Sequence, residues 1–148
     1  MKHDGLIVGV DLGLKGGISR LRYDGEIYDF QTWDERSKRA GEMEVCRYQR
    51  VAATLHRVLA DGTGGFYVDH VFYEAVARHA GTLAAHAYGA LRMKLLEICE
   101  AHGIEPEGVG VGEIKKHWTG KGNADKDAVI AAARARGFSP ADDNEADA

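Results

Sequence analysis

The feature that most constrains the fold is a short apolar run near the start of the chain, residues 6–10, which ends at Asp11. Apart from one glycine, apolar side chains fill consecutive positions of this run rather than alternate ones. This pattern is typical of a β-strand that is covered on both faces. The run therefore predicts an α/β fold in which this strand lies near the centre of the sheet.

The rest of the chain supplies the strands and helices that such a sheet requires. Residues 17–22 and 26–33 alternate apolar and polar side chains around an Asp-Gly turn, which predicts an antiparallel hairpin. Asn123 is expected to cap a late helix. Apolar spacing and glycine stops predict the other elements: a loop at 34–42, helices at 43–60, 82–101 and 124–136, strands at 68–74 and 108–112, and a further helix from Asp142 or Asp143.

This order of elements, βββαβαβαα, predicts a five-stranded mixed sheet flanked by helices. A three-strand antiparallel meander is followed by two parallel strands. Because crossovers between parallel strands are right-handed, we expect the strand at 68–74 to lie parallel to the first strand and beside it. A chain of 148 residues without a linker or a repeat is expected to form a single domain, residues 1–148.

The charge distribution, the cysteines and the apolar runs limit the classes of protein to which this chain can belong, but they do not identify its function. Four acidic residues after position 141 account for the whole net charge of −4, so the rest of the chain is neutral. Its basic residues nevertheless cluster, which is compatible with nucleic-acid binding but also with solvated helix faces. The two cysteines have no metal-type spacing, and no apolar run is long enough to span a membrane. These features predict a cytoplasmic protein with no membrane partner.

Two carboxylates stand where the two buried strands end. Asp11 closes the first run, and Glu74 closes the strand at 68–74. If these strands are parallel neighbours, about 4.8 Å apart, the two side chains meet at one edge of the sheet. Two anions held this close repel each other unless a cation or a shared proton intervenes, and oxygen ligands suit Mg²⁺ or Mn²⁺. Either residue alone is more often a cap for a turn or a helix, so the metal hypothesis depends on both.

The acidic segment at the end of the sequence can supply further ligands. A site with two metal ions about 4 Å apart needs a third and a fourth anionic ligand. If a helix begins there, Asp143 and Asn144 share a face with Asp147, while Glu145 points elsewhere. The same composition is typical of a solvated acidic tail, so both interpretations stay open.

Four motifs, in order along the chain, resemble those of one family. They are Ile7-Val-Gly-Val-Asp-Leu-Gly13 with Gly16-Gly-Ile18, Val71-Phe-Tyr-Glu74, the segment 113–126, and Asn144-Glu-Ala-Asp-Ala148. The chain resembles the RuvC-type Holliday-junction resolvases, especially their short phage-encoded relatives, within the ribonuclease H-like superfamily. The first motif alone also resembles the phosphate loop of actin-like and heat-shock-type ATPases. The fourth departs from the pattern, because Asn144 stands where the family has Asp or His. The family continues into an apolar helix, so we expect the C-terminal helix to be cut short here.

The resemblance implies a ribonuclease H-like fold and a metal-dependent endonuclease that cuts branched DNA, with two Mg²⁺ or Mn²⁺ ions as cofactors. It implies Asp11, Glu74 and Asp147 as catalytic residues and metal ligands. The fourth ligand is one of Asp143, which would then also be catalytic, Asn144 and Glu145. The basic residues expected to contact DNA are Lys15, Arg36, Lys38, Arg39, Arg78, Lys115, Lys116, Lys121 and Lys126.

A homodimer is also expected, because a four-way junction needs two symmetric cuts and resolvases of this family act as two-fold dimers. Small residues at Ala84, Ala87 and Ala90, beside Tyr88 and Leu91, permit close packing of their helix on its own sheet or on a partner. For a phage-encoded protein the location is the cytoplasm of the bacterial host. Two other functions stay open: a branched-DNA-binding module without catalysis, and an actin-like ATPase-type nucleotide-binding domain.

Overall fold

The computed structural model describes residues 5–60 and 67–138. The strands and helices of these residues are β1 Gly5–Asp11, β2 Lys15–Arg22, β3 Ile27–Asp34, α1 Val45–Ala60, β4 Tyr67–Ala75, α2 Thr82–Ala101, β5 Glu107–Gly110, α3 Val111–Thr119 and α4 Lys126–Ala135. The sheet has the strand order β3-β2-β1-β4-β5. Neighbours are antiparallel from β3 to β1 and parallel from β1 to β5. The predicted five-stranded mixed sheet is confirmed, and so is the position of β4 beside β1.

One face of the sheet is covered by the two long helices. Val8 and Val10 of β1 are buried in one apolar cluster with Val71 of β4, Leu55 of α1 and Leu91 of α2. Burying a leucine of this kind completely stabilises the fold by about 1.5–3 kcal/mol. The intervening residues of β1, on the opposite face, are only half-buried. The better-packed face of β1 is therefore the one that α1 and α2 cover.

The hairpin of β2 and β3 turns where the sequence predicts. Gly25 has a φ of 84°, a backbone conformation that glycine adopts readily and most other residues avoid. The Gly25 N–H donates to the carbonyl oxygen of Arg22 at 2.9 Å. Among the described residues, no helix is long and apolar enough to cross a membrane.

The region after β5 corrects the sequence-based prediction. The strand predicted at 108–112 ends at Gly110, and the nine-residue helix α3 begins at Val111. A side-chain oxygen of Glu113 accepts the Gly110 N–H at 3.3 Å, which satisfies a backbone donor at the start of the helix. No residue of α3 is fully buried. The alternation of glycine and valine over residues 108–112 favours a strand, and this alternation misled the prediction at the start of the helix.

The start of α4 also differs from the prediction. Asp125, rather than Asn123, is the N-cap residue, and its Oδ1 accepts the Ala128 N–H at 2.8 Å. Asn and Asp are about equally good caps, so residue type alone could not choose between these positions. Val129 and Ala133 of α4 are buried in a second, smaller cluster. The further helix predicted from Asp142 or Asp143 lies outside the described residues.

Candidate metal centre and its basic surroundings

Strands β1 and β4 bring Asp11 and Glu74 together at one edge of the sheet. The parallel register pairs Val10 with Tyr73, so the next residue of each strand is one of the two acids. The two carboxyl groups are close enough for a hydrogen bond with Asp11 to act on the pKa of Glu74. A hydrogen bond between two carboxyl groups requires a proton on one of them, unless a cation takes the place of that proton. The expected juxtaposition of these two acids is present.

Burial and charge act on Glu74 in opposite directions. Burial raises the pKa of the Glu74 carboxyl above its ordinary value, and this effect outweighs the others. The hydrogen bond with Asp11 lowers this pKa, as do the positive charges of Lys115 and Lys126. Lys115 belongs to α3, and Lys126 is the first residue of α4. Two of the predicted DNA contacts thus lie within electrostatic range of the acid pair.

The turn after Asp11 is closed tightly against the sheet. A Cβ at Gly16 would lie 2.3 Å from the carbonyl oxygen of Asp11 and 2.8 Å from Cζ2 of Trp33. Nε1 of Trp33 donates to the carbonyl oxygen of Gly13 at 2.8 Å. The turn that follows the first acid therefore requires glycine at position 16, and Trp33 holds it from the β3 side.

Arg50 of α1 holds the loop between β3 and α1 at two points. Its Nε donates to Glu35 at 2.7 Å, and its terminal nitrogens donate to the two carboxylate oxygens of Glu42 at 2.7 and 3.0 Å. Nη1 of Arg47 donates to the carbonyl oxygen of Arg36 at 2.7 Å. The hydrogen bonds from Arg50 and, after them, the one from the backbone N–H of Arg39 lower the pKa of Glu42 to about 2. The loop is therefore shaped by two arginines of the helix that follows it.

This loop carries three of the predicted DNA contacts, Arg36, Lys38 and Arg39, and all three are exposed. Arg36 pairs with Asp34 at 2.6 Å and lowers the pKa of Asp34 to about 2; the nearby charge of Lys15 contributes to a smaller extent.

The other predicted DNA contacts lie outside this loop. Arg78 is exposed after β4, and Lys115 of α3 is half-buried. Lys116, Lys121 and Lys126 are exposed on and after α3.

The predicted ligands Asp143, Asn144 and Asp147 lie outside the described residues. Over residues 5–60 and 67–138, no group of three or more His, Cys, Asp or Glu is arranged to hold a metal ion. The described chain ends at Phe138, whose ring packs edge-on against Trp118 with centroids 5.6 Å apart. Trp118 and Glu74 line the same cleft, which has a volume of about 800 Å³. Phe138 thus packs against a residue that lines the cleft containing one of the two acids.

No protein-family model and no curated protein matches this sequence. Among solved structures, Thermus thermophilus RuvC in complex with Holliday junction substrate matches with a TM-score of 0.78 and 20% identity, over 97% of this chain and 87% of that chain. A second Thermus thermophilus RuvC structure matches with a TM-score of 0.74 and 20% identity, over 97% and 88% of the two chains. The chain has a RuvC-like fold. The RuvC-like arrangement of sheet and helices confirms the predicted ribonuclease H-like fold class.

Two residues that belong to no motif hold the backbone near the acid pair and in the basic loop. They are Tyr88 and Arg50. The sequence assigns no role to Arg50, and it predicts for Tyr88 only the close packing of its helix. The structure instead places the hydroxyl group of Tyr88 on the backbone of Glu74. The sequence carries no signal for either contact, since each joins groups at least 8 positions apart.

Proposed function

We propose that this protein is a metal-dependent endonuclease that cuts branched DNA, and that the four-way Holliday junction is the first substrate to test. The observation that carries this proposal is the contact between Asp11 and Glu74 at the ends of two parallel strands, with Lys115 and Lys126 close by. The likeness to Thermus thermophilus RuvC, solved with Holliday junction substrate, supports the choice of DNA. We place this activity in the cytoplasm, of the bacterial host if the protein is phage-encoded.

The chemistry of the two acids fits Mg²⁺ or Mn²⁺, since both ions prefer carboxylate oxygens and a cation would relieve the repulsion within the pair. We assign Asp143 and Asp147 as the additional charged ligands and Asn144 as a neutral one. Asp143 and Asp147 follow Phe138 by five and nine positions. An extended chain could therefore place them at most about 16 and 30 Å from Phe138.

Two bound ions would supply an activated water and stabilise the leaving 3′ oxygen. The chain's own residues bind the phosphates and position the DNA. Asp11 and Glu74 are partly buried and lie next to the scissile phosphate, where their carboxylates supply negative charge. Lys115 and Lys126 bind the oxygens of that phosphate and offset the charge that develops on it. The basic loop and Lys15 contact phosphates further along the backbone and fix the register of the DNA.

A cleavage assay tests this function directly. A labelled four-way junction and a linear duplex of the same sequence are incubated with the protein in Mg²⁺, in Mn²⁺ or in EDTA. Paired, symmetric nicks in the junction alone, and only with metal, support the proposal. Junction binding without cleavage in every metal would indicate a branched-DNA-binding module instead. ATP hydrolysis without DNA affinity would indicate a nucleotide-binding domain.

Arg50 gives a prediction about DNA binding. The Arg50→Gln protein loses the hydrogen bonds that hold Glu35 and Glu42. The loop is then less ordered in the free protein, so ordering it when DNA binds costs conformational entropy. We expect the affinity for the junction to fall by about three- to tenfold. Fluorescence anisotropy in EDTA measures binding apart from cleavage. Arg57→Gln is the matched control, because it removes the same charge from the same helix where Arg57 bonds Gln31. Equal losses in both variants would contradict a role for loop shape.

We also propose that the active form is a homodimer, joined through α2. Leu91 is fully buried in the core, but Leu83 and Met93 are 83% and 54% exposed, with the exposed Ala90 between them. Their spacing places all three on one side of the helix.

Met93→Asp is expected to convert the dimer to a monomer, because it sets a charge into an apolar contact on both copies. Light scattering coupled to size exclusion measures the mass. Met43→Asp, at a methionine that is 70% exposed and lies outside the helix, should leave the mass unchanged. A wild-type protein that is monomeric at all concentrations would contradict the proposal.

A further inference from the structure

A tyrosine of α2 reaches across to the end of the strand that carries Glu74. The Tyr88 hydroxyl donates to the carbonyl oxygen of Glu74 at 2.9 Å, and it accepts the Val76 N–H at 3.3 Å. These two backbone groups lie on either side of Ala75, the last residue of β4. One side chain therefore fixes the backbone just where β4 ends and the following loop begins.

The β1–β4 ladder does not itself fix this part of the backbone. Its register extends to Val10 and Tyr73, one residue short of the two acids. On the other side, β4 pairs with β5 through Glu74 with Val109 and Ala75 with Gly110. The backbone of Glu74 is therefore held by the short strand β5 and by Tyr88.

The ring of Tyr88 is itself well anchored. It packs against the main core, next to Leu91 and Leu95 on the same helix, both of which are fully buried. On the loop side, the ring of His79 lies 5.0 Å away between centroids. A side chain held on both sides keeps its hydroxyl in place, so it can transmit the rigidity of α2 to the end of β4.

We propose that Tyr88 is a positioning residue, whose hydroxyl fixes the backbone of Glu74 so that the carboxylate is aimed at Asp11 and at the metal. It acts through Glu74 and does not touch the substrate. This inference rests on the proposed metal-dependent nuclease. Partners that orient metal ligands commonly affect metal affinity or activity by about 10- to 100-fold when removed.

Tyr88→Phe tests the inference, because it deletes only the hydroxyl and keeps the packed ring. Titration calorimetry with Mn²⁺, in the absence of DNA, is expected to show about a 10-fold loss of affinity or more. With junction DNA, we expect kcat to fall by a similar factor at fixed Mn²⁺, while junction affinity in EDTA stays at the wild-type value. Hydrogen exchange of the Val76 amide is expected to accelerate, because its acceptor is gone.

Tyr48→Phe is the matched control, because Tyr48 packs against the same core from α1. Thermal melting followed by circular dichroism is expected to show similar midpoints for the two variants. Wild-type Mn²⁺ affinity in Tyr88→Phe would overturn the inference, and so would an equal loss in Tyr48→Phe. The calorimetry and the exchange rate do not depend on cleavage, so a wild-type protein that cuts no junction would refute the proposed function while leaving this test intact.

Discussion

Replacing Asp11 with Asn is expected to abolish junction cleavage while leaving the protein folded and able to bind DNA. The substitution keeps the size of the side chain but removes one charge from the acid pair, and with it the strongest ligand that β1 offers. Removal of a group that acts on the transition state commonly costs about 10³- to 10⁴-fold in rate. Single-turnover cleavage of a labelled junction in saturating Mg²⁺ measures this loss.

The same variant separates a metal site from a structural cap. If Asp11 only capped a turn, Asn would cap it about as well, so the replacement would leave both stability and cleavage nearly unchanged. At a metal centre, neutralising one acid relieves repulsion, so the melting midpoint without metal should be unchanged or higher. Asp24→Asn is the control, because Asp24 lies in the β2–β3 turn, where its Oδ1 accepts the Glu26 N–H. Full activity in Asp11→Asn would refute the proposed nuclease site.

The part of this site that the sequence predicts is the part that depends on backbone pattern alone. The apolar run of β1 predicts a strand inside the sheet, although its second face is only half-buried, and a right-handed crossover places β4 beside it. Acids at the ends of two such strands must then meet. The juxtaposition of Asp11 and Glu74 therefore follows from strand order and register, without knowledge of any side-chain contact.

Helix α3 was missed for a physical reason. Its three flanking or internal glycines are typical of turns and strands, and none of its residues is fully buried. Glycine is a poor helix former, and the alternation of glycine and valine over residues 108–112 is typical of a strand. Yet α3 carries Lys115, whose charge acts on Glu74. The resemblance to known resolvases implied this lysine as a DNA contact, although periodicity could not place it on a helix.

The hydrogen bonds of individual side chains could not be predicted from the sequence. The fork of Arg50 onto Glu35 and Glu42, and the bond from Tyr88 to the Glu74 backbone, join residues whose approach is set by the packing of α1 and α2. Many arginines and tyrosines in the chain are chemically able to make such bonds. Only the tertiary structure decides which of them do so.

The second large effect concerns stability, and it follows from the raised pKa of Glu74. Burial raises this pKa above the ordinary value of 4.5. The folded state therefore favours the protonated acid, and this contribution to stability is fully present below pH 4.5 and is lost as the pH rises through the raised pKa. We expect the metal-free protein to become less stable over that interval. Divalent metal reverses the trend, because it binds the ionised pair.

Thermal melts from pH 5 to pH 8, with and without Mn²⁺, measure this linkage. At 100 times its dissociation constant, a ligand of the folded state adds about 2.7 kcal/mol, or about 5–10 °C for a domain of this size. We expect the gain from Mn²⁺ to grow with pH. Glu74→Gln should remove both the gain and the pH dependence, whereas Glu97→Gln, at the exposed pair with Lys94, should keep both. A Glu74→Gln protein that still responds to Mn²⁺ like the wild type would show that the metal binds elsewhere.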